Sequence, residues 1–311
     1  YGLTREEGDA TTAFAFLGAS ILLDPVTKKL KMTQKGLIKK VLAATGMSEC
    51  NTRGSPALSS PLGTDADGPR RKDPWNYASA VGMLMYLSSN AHPEIQFSVH
   101  QCARFTHCPR ASHEEAVKHI CWYLQGVQDN GLTFQPSNDL QLDCYVDADF
   151  AGLWNYESDQ DPVCVKSRTG YVMTLGGCPI QWNSKLQTEI ALSTTESEYI
   201  ALSQAMRELI PLRRLLLEMA TAMKLPGIKG AVIKSTVFED NNGAITTATA
   251  VKMTPRTKHI AVKYHFFKSH ISERNGISLA KIDTNLQKAD IFTKGLSPQK
   301  FVEIRRLLCG W

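Results

Sequence analysis

The sequence predicts an α/β protein: a mixed sheet with flanking helices in the C-terminal half, preceded by a mainly helical segment. Three observations carry this. From residue 140 on, Leu140, Leu142, Cys144 and Val146 alternate with Gln141, Asp143, Tyr145 and Asp147, the period-two pattern of a half-buried strand. More strand-like runs follow, after which helix and strand patterns take turns. Upstream, between residues 37 and 124, most apolar residues recur instead at helical spacing.

At the N-terminal end, Phe14 to Leu23 is apolar and ends in an Asp24-Pro25 turn, from which Leu30 to Met32 can return to pair with it. Leu37, Ile38, Val41 and Leu42 lie on one stripe of a helix that Gly46 stops. Residues 51–74 are rich in Gly, Pro, Ser and Asp and read as a loop. Tyr77, Val81, Leu84, Met85 and Leu87 form a helical pattern that Pro93 interrupts, Ile95, Val99 and Cys102 resume, and Pro109 breaks again. Ser112 followed by Glu115 has the spacing of a capping box for the next helix. Residues 132–139 mark a boundary, which gives domains 1–138 and 139–311.

In the second domain, residues 169–177, 179–185 and 189–193 are strand candidates around a Gly176-Gly177 turn. Thr194 or Thr195 opens a long helix, and Pro211 suits the first turn of a second one. Residues 235–240 form a strand that runs into a short helix over 241–250. Residues 256–271 read as helix, 277–282 as strand, and 287–294 and 298–310 as helices.

The 311 residues suffice for two domains, and 43% hydrophobic with 21% charged residues describes a globular chain rather than a disordered one. No run approaches the roughly 18 apolar residues of a membrane-spanning helix. The chain opens on Tyr1 and reads as a piece of a longer polypeptide. Net charge is +5, unevenly spread: between Asp240 and Glu273 no acid occurs, whereas Lys252, Arg256, Lys258, Lys263 and Lys268 do. Such a stretch suits a polyanion or a solvated helix face. The eight cysteines include no CxxC pair and read as reduced thiols. Cys102, His107, Cys108, His113, His119 and Cys121 crowd together in sequence but match no zinc spacing.

Metal-assisted hydrolysis of a phosphodiester needs several hard oxygen ligands in one cleft. Asp147 ends a strand, with Asp149 two residues on and on the same face. Asp240 ends another strand, where it could equally cap the helix that follows. Glu198 shares a helix face with Ala201, Leu202, Ala205, Met206 and Leu209, whereas Glu196 looks along the mixed face of Tyr199, Ile200, Ser203 and Arg207. A carboxylate at the rim of a buried face needs a partner such as a metal, unless it closes a capping box with Thr195. Asp290 opens a helix, an ordinary place for an acid.

The strings YVDADFAG, SRTGYVMTLGG, IQWNSKLQ, ALSTTESEYIALSQA, EDNNGAI, RTKHIAVKYHFFK and QKADIFTKGL, in this order, resemble the ribonuclease H domain of copia-type LTR retrotransposon polyproteins across residues 140–311. FLG, YASAVGMLMYLSSNAHPEIQFSV and HEEAVKHICWYLQG resemble the thumb and connection segments of the reverse transcriptase in the same polyproteins. The resemblance implies a ribonuclease H fold, a mixed five-stranded sheet with helices on both sides. It implies cleavage of the RNA strand of RNA–DNA hybrids during reverse transcription, leaving a 3′-hydroxyl. Asp147, Glu198, Asp240 and Asp290 are the implied catalytic residues and ligands of two Mg2+ ions, with Mn2+ able to substitute. Lys252, Arg256, Lys258, His259 and Lys263 are the expected nucleic-acid contacts. The expected partners are an RNA–DNA hybrid and the polymerase palm and fingers of the polyprotein, with no membrane, in a cytoplasmic virus-like particle. The loop GLWNYESDQDPVCVKSRTG is longer and more acidic than the family pattern. YVDAD differs from the Tyr-x-Asp-Asp of a polymerase palm by the Ala between its acids, so no polymerase activity is expected. The alternative function is that of a catalytically inactive hybrid-binding or tethering fragment of a decayed element.

Overall fold

The computed structural model describes residues 4–8, 11–137, 141–224, 233–250, 260 and 262–311, with side chains from residue 14 onward. It divides into two compact units: Tyr1–Gln135 with Leu153–Cys164 and Lys294–Trp311, and Pro136–Gly152 with Val165–Thr293.

The first unit opens with β1 (Thr4–Gly8), β2 (Thr11–Phe16), β3 (Ala19–Leu23) and β4 (Leu30–Thr33). The apolar run Phe14 to Leu23 spans a hairpin, because Leu17 and Gly18 at φ 49 and 77 reverse the chain between Phe16 and Ala19. The return through Leu30 pairs with β3 as expected, Leu22 opposite Lys31. Helix α1 (Lys35–Ala44) buries Ile38, Val41 and Leu42, and Gly46 follows at φ 70. Helices α2 (Tyr77–Asn90), α3 (Gln96–Ala103) and α4 (Ala111–Gly126) follow, and β5 (Gly131–Phe134) closes the antiparallel sheet beside β4. Of the cysteine and histidine cluster, Cys102 and Cys121 are buried and Cys108 is exposed; no metal-ligating group forms from it among the described residues.

The start of α4 is held by His113, not Ser112. His113 is fully buried, its Nδ1 accepts the Arg110 N–H at 2.8 Å, and Phe105 stacks on its ring at 4.0 Å. An accepting Nδ1 leaves the proton on Nε2, which donates to the Gly63 carbonyl at 2.8 Å. Burial pushes the imidazole pKa down, so the folded form is neutral. Below the ordinary histidine value of about 6.5 the unfolded chain therefore takes up a proton that the fold excludes, and stability falls. The urea midpoint should drop between pH 7 and 5.5, with a shallower slope in His113→Gln. Equal slopes for the two proteins would contradict this.

The second unit carries β6 (Leu142–Asp149), β7 (Arg168–Leu175) and β8 (Cys178–Leu186) as an antiparallel meander, turned between β7 and β8 by Gly176 and Gly177 at φ 57 and 83. Residues 189–193 form no strand; they lead into α5 (Thr194–Ala222), where the Ser193 hydroxyl accepts the Glu196 N–H. Pro211 starts no second helix and sits inside α5. Proline removes one helical N–H donor, but Leu209 before it is buried in the core and Leu212 and Leu216 after it pack on the same core, so the helix runs through. Then follow β9 (Ser235–Glu239), α6 (Asn242–Thr249), β10 (Ile277–Lys281) and α7 (Asp290–Thr293). With β9 parallel to β6 and to β10, the sheet is mixed and five-stranded, in the order β10-β9-β6-β7-β8. Leu202, Ala205, Met206 and Leu209 of α5 share one core with Leu142, Cys144, Val146, Met173 and Val237 of the sheet.

One further expectation needs correction. The described part of 256–271 is not an α-helix but two short 3-10 turns, Val262–Tyr264 and Phe266–His270. Tyr264 and Phe267, three residues apart, are its buried anchors, a spacing that suits 3-10 geometry. The second compact unit ends at Thr293. Helix α8 (Pro298–Cys309) belongs to the first unit, where Phe301 meets the Tyr123 ring at 5.6 Å and the Cys309 thiol donates to Glu94 at 3.5 Å. Residues 153–164 of the acidic loop also belong there: Glu157 accepts the Thr64 N–H at 2.8 Å and pairs with Arg104. No helix among the described residues is long and apolar enough to cross a membrane.

Candidate metal centre

Alternation along β6 sends Leu142, Cys144, Val146 and Ala148 into the core under α5 and Asp147 to the other face. Asp147 lies opposite Gly170 of β7, is 3% exposed, and accepts a hydrogen bond at Oδ2 from the Thr293 hydroxyl of α7. The Gln287 amide, donating to the Val146 carbonyl at 2.8 Å, ties the approach to α7 onto the same strand. Asp240 follows β9, half-buried, with Oδ2 accepting from the Thr284 hydroxyl at 2.8 Å. Glu198 comes from the first turns of α5 and is 7% exposed.

One carboxylate oxygen from each of Asp147, Glu198 and Asp240 lies within 4.8 Å of the other two. The alternatives open in the sequence separate here. Asp149 is outside the group; its carboxylate packs so closely on Gly152 that a Cβ there would meet Oδ2 at 1.7 Å. The capping role falls to Ser193 and Glu196, whose carboxylate accepts the Leu192 N–H at 2.8 Å, and not to Glu198 with Thr195. At the head of α6, Asn241 caps by accepting the Ala244 N–H at 3.0 Å, so Asp240 is not needed for it. Asp290 is the exception among the four expected ligands. It is fully buried at the start of α7 and does not join the group. From α7 the Thr293 hydroxyl donates to Asp147.

Glu239 was not anticipated. It is fully buried, its Oε1 accepts the Asn241 N–H at 3.0 Å, and Oε2 has no hydrogen-bond partner among the described residues. Burial, reinforced by the charges of Asp240 and Asp147, pushes its carboxyl pKa well above the usual range. The alternation of β9 carries the signal for it: Ser235, Val237 and Glu239 are its inward positions. Of the expected nucleic-acid contacts, Lys252, Arg256, Lys258 and His259 lie outside the described residues. Lys263 is exposed and paired with Glu189 at 2.6 Å.

Two unit charges 4.8 Å apart repel by about 3 kcal/mol at an effective dielectric constant near 20. Three carboxylates gathered this closely offer a cation an oxygen from each. The donors are all carboxylate oxygens, which fits a hard divalent ion such as Mg2+ and not a thiolate- or imidazole-seeking one.

No protein-family model matches the chain. It is 34% identical over 308 residues to the retrovirus-related Pol polyprotein from transposon TNT 1-94 of Nicotiana tabacum, covering 96% of this chain and 22% of that protein. It is 31% identical over 281 residues to the corresponding polyprotein from transposon RE2 of Arabidopsis thaliana, covering 90% of this chain and 18% of that protein. Among solved structures, LC11-RNase H1, isolated from compost by a metagenomic approach, is similar at 16% identity and a TM-score of 0.34, over 50% of this chain and 93% of that one.

Proposed function

Since this chain belongs to the family of retrovirus-related Pol polyproteins from copia-type transposons, we propose that its second unit is a metal-dependent ribonuclease H acting on the RNA strand of RNA–DNA hybrids. The observation that carries the proposal is the convergence of Asp147, Glu198 and Asp240 within 4.8 Å on a mixed five-stranded sheet. Bound Mg2+ would supply an activated water and stabilise the charge on the departing 3′ oxygen. The chain's own part is positional. Asp147, Glu198 and Asp240 would hold the cation, while the hydroxyls of Thr293 and Thr284 donate to the carboxylates of Asp147 and Asp240 and orient them. Burial raises the Glu239 carboxyl pKa, which favours its uncharged form beside them. Preference for RNA would come from contacts to 2′-hydroxyls across the minor groove.

The test uses the whole chain with a labelled RNA–DNA hybrid and Mg2+. Wild type should cleave the RNA strand, and Asp240→Asn should lose more than about 100-fold, beyond the usual loss for an outer-shell partner. Equal cleavage by the two proteins would sink the assignment. Hybrid binding without any cleavage would instead favour a tethering fragment.

A further inference from the structure

We propose that a basic pocket at the far end of α5 from the carboxylates is a phosphate-binding site. The pocket has a volume of about 220 Å³, and Arg213, Arg214, His270, Arg274 and Asn275 are among the residues that line it. Among the described residues no Asp or Glu lines it. Arg213 is the fixed wall: its Nε donates to the Ile233 carbonyl at 3.1 Å and one Nη to the Asn275 carbonyl at 2.7 Å. Backbone carbonyls neutralise none of its charge. Arg214 and Arg274 are exposed at the rim, with no ion pair and no side-chain hydrogen bond among the described residues. Glu218, one turn beyond Arg214, and Glu273, next to Arg274, do not line the pocket.

Three guanidinium groups line one concavity to which no Asp or Glu among the described residues contributes. A guanidinium is planar and permanently charged, and its fork of donors matches phosphate oxygens in pairs. A 220 Å³ space admits a phosphate together with its ester substituent. Arg213 follows Glu198 by fifteen residues on the same helix, which at about 1.5 Å per residue separates the two sites by roughly 22 Å. The pocket is therefore a separate site. The phosphate could be carried by a nucleic-acid strand or by a small free phosphate; only the first source rests on the nuclease reading.

The variant for the test is Arg214→Ala with Arg274→Ala in the whole chain. Both residues are exposed, and an unchanged thermal midpoint in chloride buffer checks that the fold is intact. In one arm, fluorescence anisotropy follows a 20-base-pair RNA–DNA hybrid in EDTA across a salt series. The slope of log affinity against log salt should fall by about two, one for each lost phosphate contact, and affinity at low salt by about tenfold. In the other arm, inorganic phosphate and pyrophosphate are titrated while the thermal midpoint is followed, with saturable stabilisation expected for wild type and none for the variant. Loss in the first arm supports the site and identifies a strand as its ligand. Loss in the second alone supports the site and identifies a small phosphate. Identical behaviour of wild type and variant in both arms overturns it. Neither arm depends on cleavage, so an inactive nuclease would leave the result readable.

Discussion

Asp147→Asn should raise the thermal midpoint of the metal-free protein and abolish the further rise that Mg2+ gives the wild type. Both effects follow from the crowding of Asp147, Glu198 and Asp240 within 4.8 Å. Without a cation, each ionised pair costs about 3 kcal/mol before solvent screening. Removing one charge relieves two pairs, of which solvent at half-buried Asp240 screens part, so the net gain should be about 1–3 kcal/mol. For a unit of this size that is a shift of several degrees. With Mg2+ at 100 times its dissociation constant, the wild type should gain about 2.7 kcal/mol and the variant far less. Calorimetry with and without Mg2+ separates this from a purely structural role for Asp147. A structural acid, held by Thr293, would lower the midpoint when replaced and leave the Mg2+ response untouched.

The second large effect is expected at Gly170, the residue paired with Asp147 across β6 and β7. A Cβ there would stand 2.6 Å from Thr293 Cγ2, 2.9 Å from Phe292 Cβ and 3.1 Å from the Ala289 carbonyl. α7 cannot easily retreat, because the Ser184 hydroxyl holds the Phe292 carbonyl and Gln287 holds the preceding segment to β6. Gly170→Ala should therefore cost about 1–3 kcal/mol of overpacking in urea denaturation. It should also weaken metal-dependent cleavage by about 10- to 100-fold as the Thr293 hydroxyl is displaced from Asp147. Adding Thr293→Ser removes the methyl nearest the clash and keeps the hydroxyl, so the double variant should regain part of both losses. A Gly170→Ala protein as stable and active as wild type would show that α7 does not support Asp147.

What the sequence made legible follows the range of the forces involved. The alternation that placed β6 and the helical stripe that favoured Glu198 over Glu196 are local periodicities, and both elements are found where those patterns lie. The preference for Asp147 over Asp149 was not local. It depends on Asp149 turning towards Gly152, a loop geometry that alternation does not encode. Thr293 and Thr284 were invisible for the same reason: a hydroxyl meeting a carboxylate 146 or 44 residues away has no spacing signature. Pro211 was misread because a proline rule states the local cost, whereas the apolar residues on either side of it pack on one core and override that cost. The break at Leu17 within the first apolar run was missed because that residue, at positive φ, lacks the usual turn chemistry. Glu239 could have been read, since it occupies an inward position of a strand that was itself recognised.

The first unit is assembled from three separated stretches, with α8 returning to Tyr123 and Glu94. During vectorial synthesis its sheet and first four helices emerge well before the helix that covers them. The segment between them must leave the ribosome before α8 is available. Until then Tyr123 lacks the Phe301 ring and Glu94 lacks the Cys309 thiol, so a nascent or truncated chain exposes a surface that the finished one hides. A cut at residue 139 would separate α8 from the Tyr123 and Glu94 side chains that it meets. Those contacts would form again only if Lys294–Trp311 were supplied to the N-terminal fragment in trans.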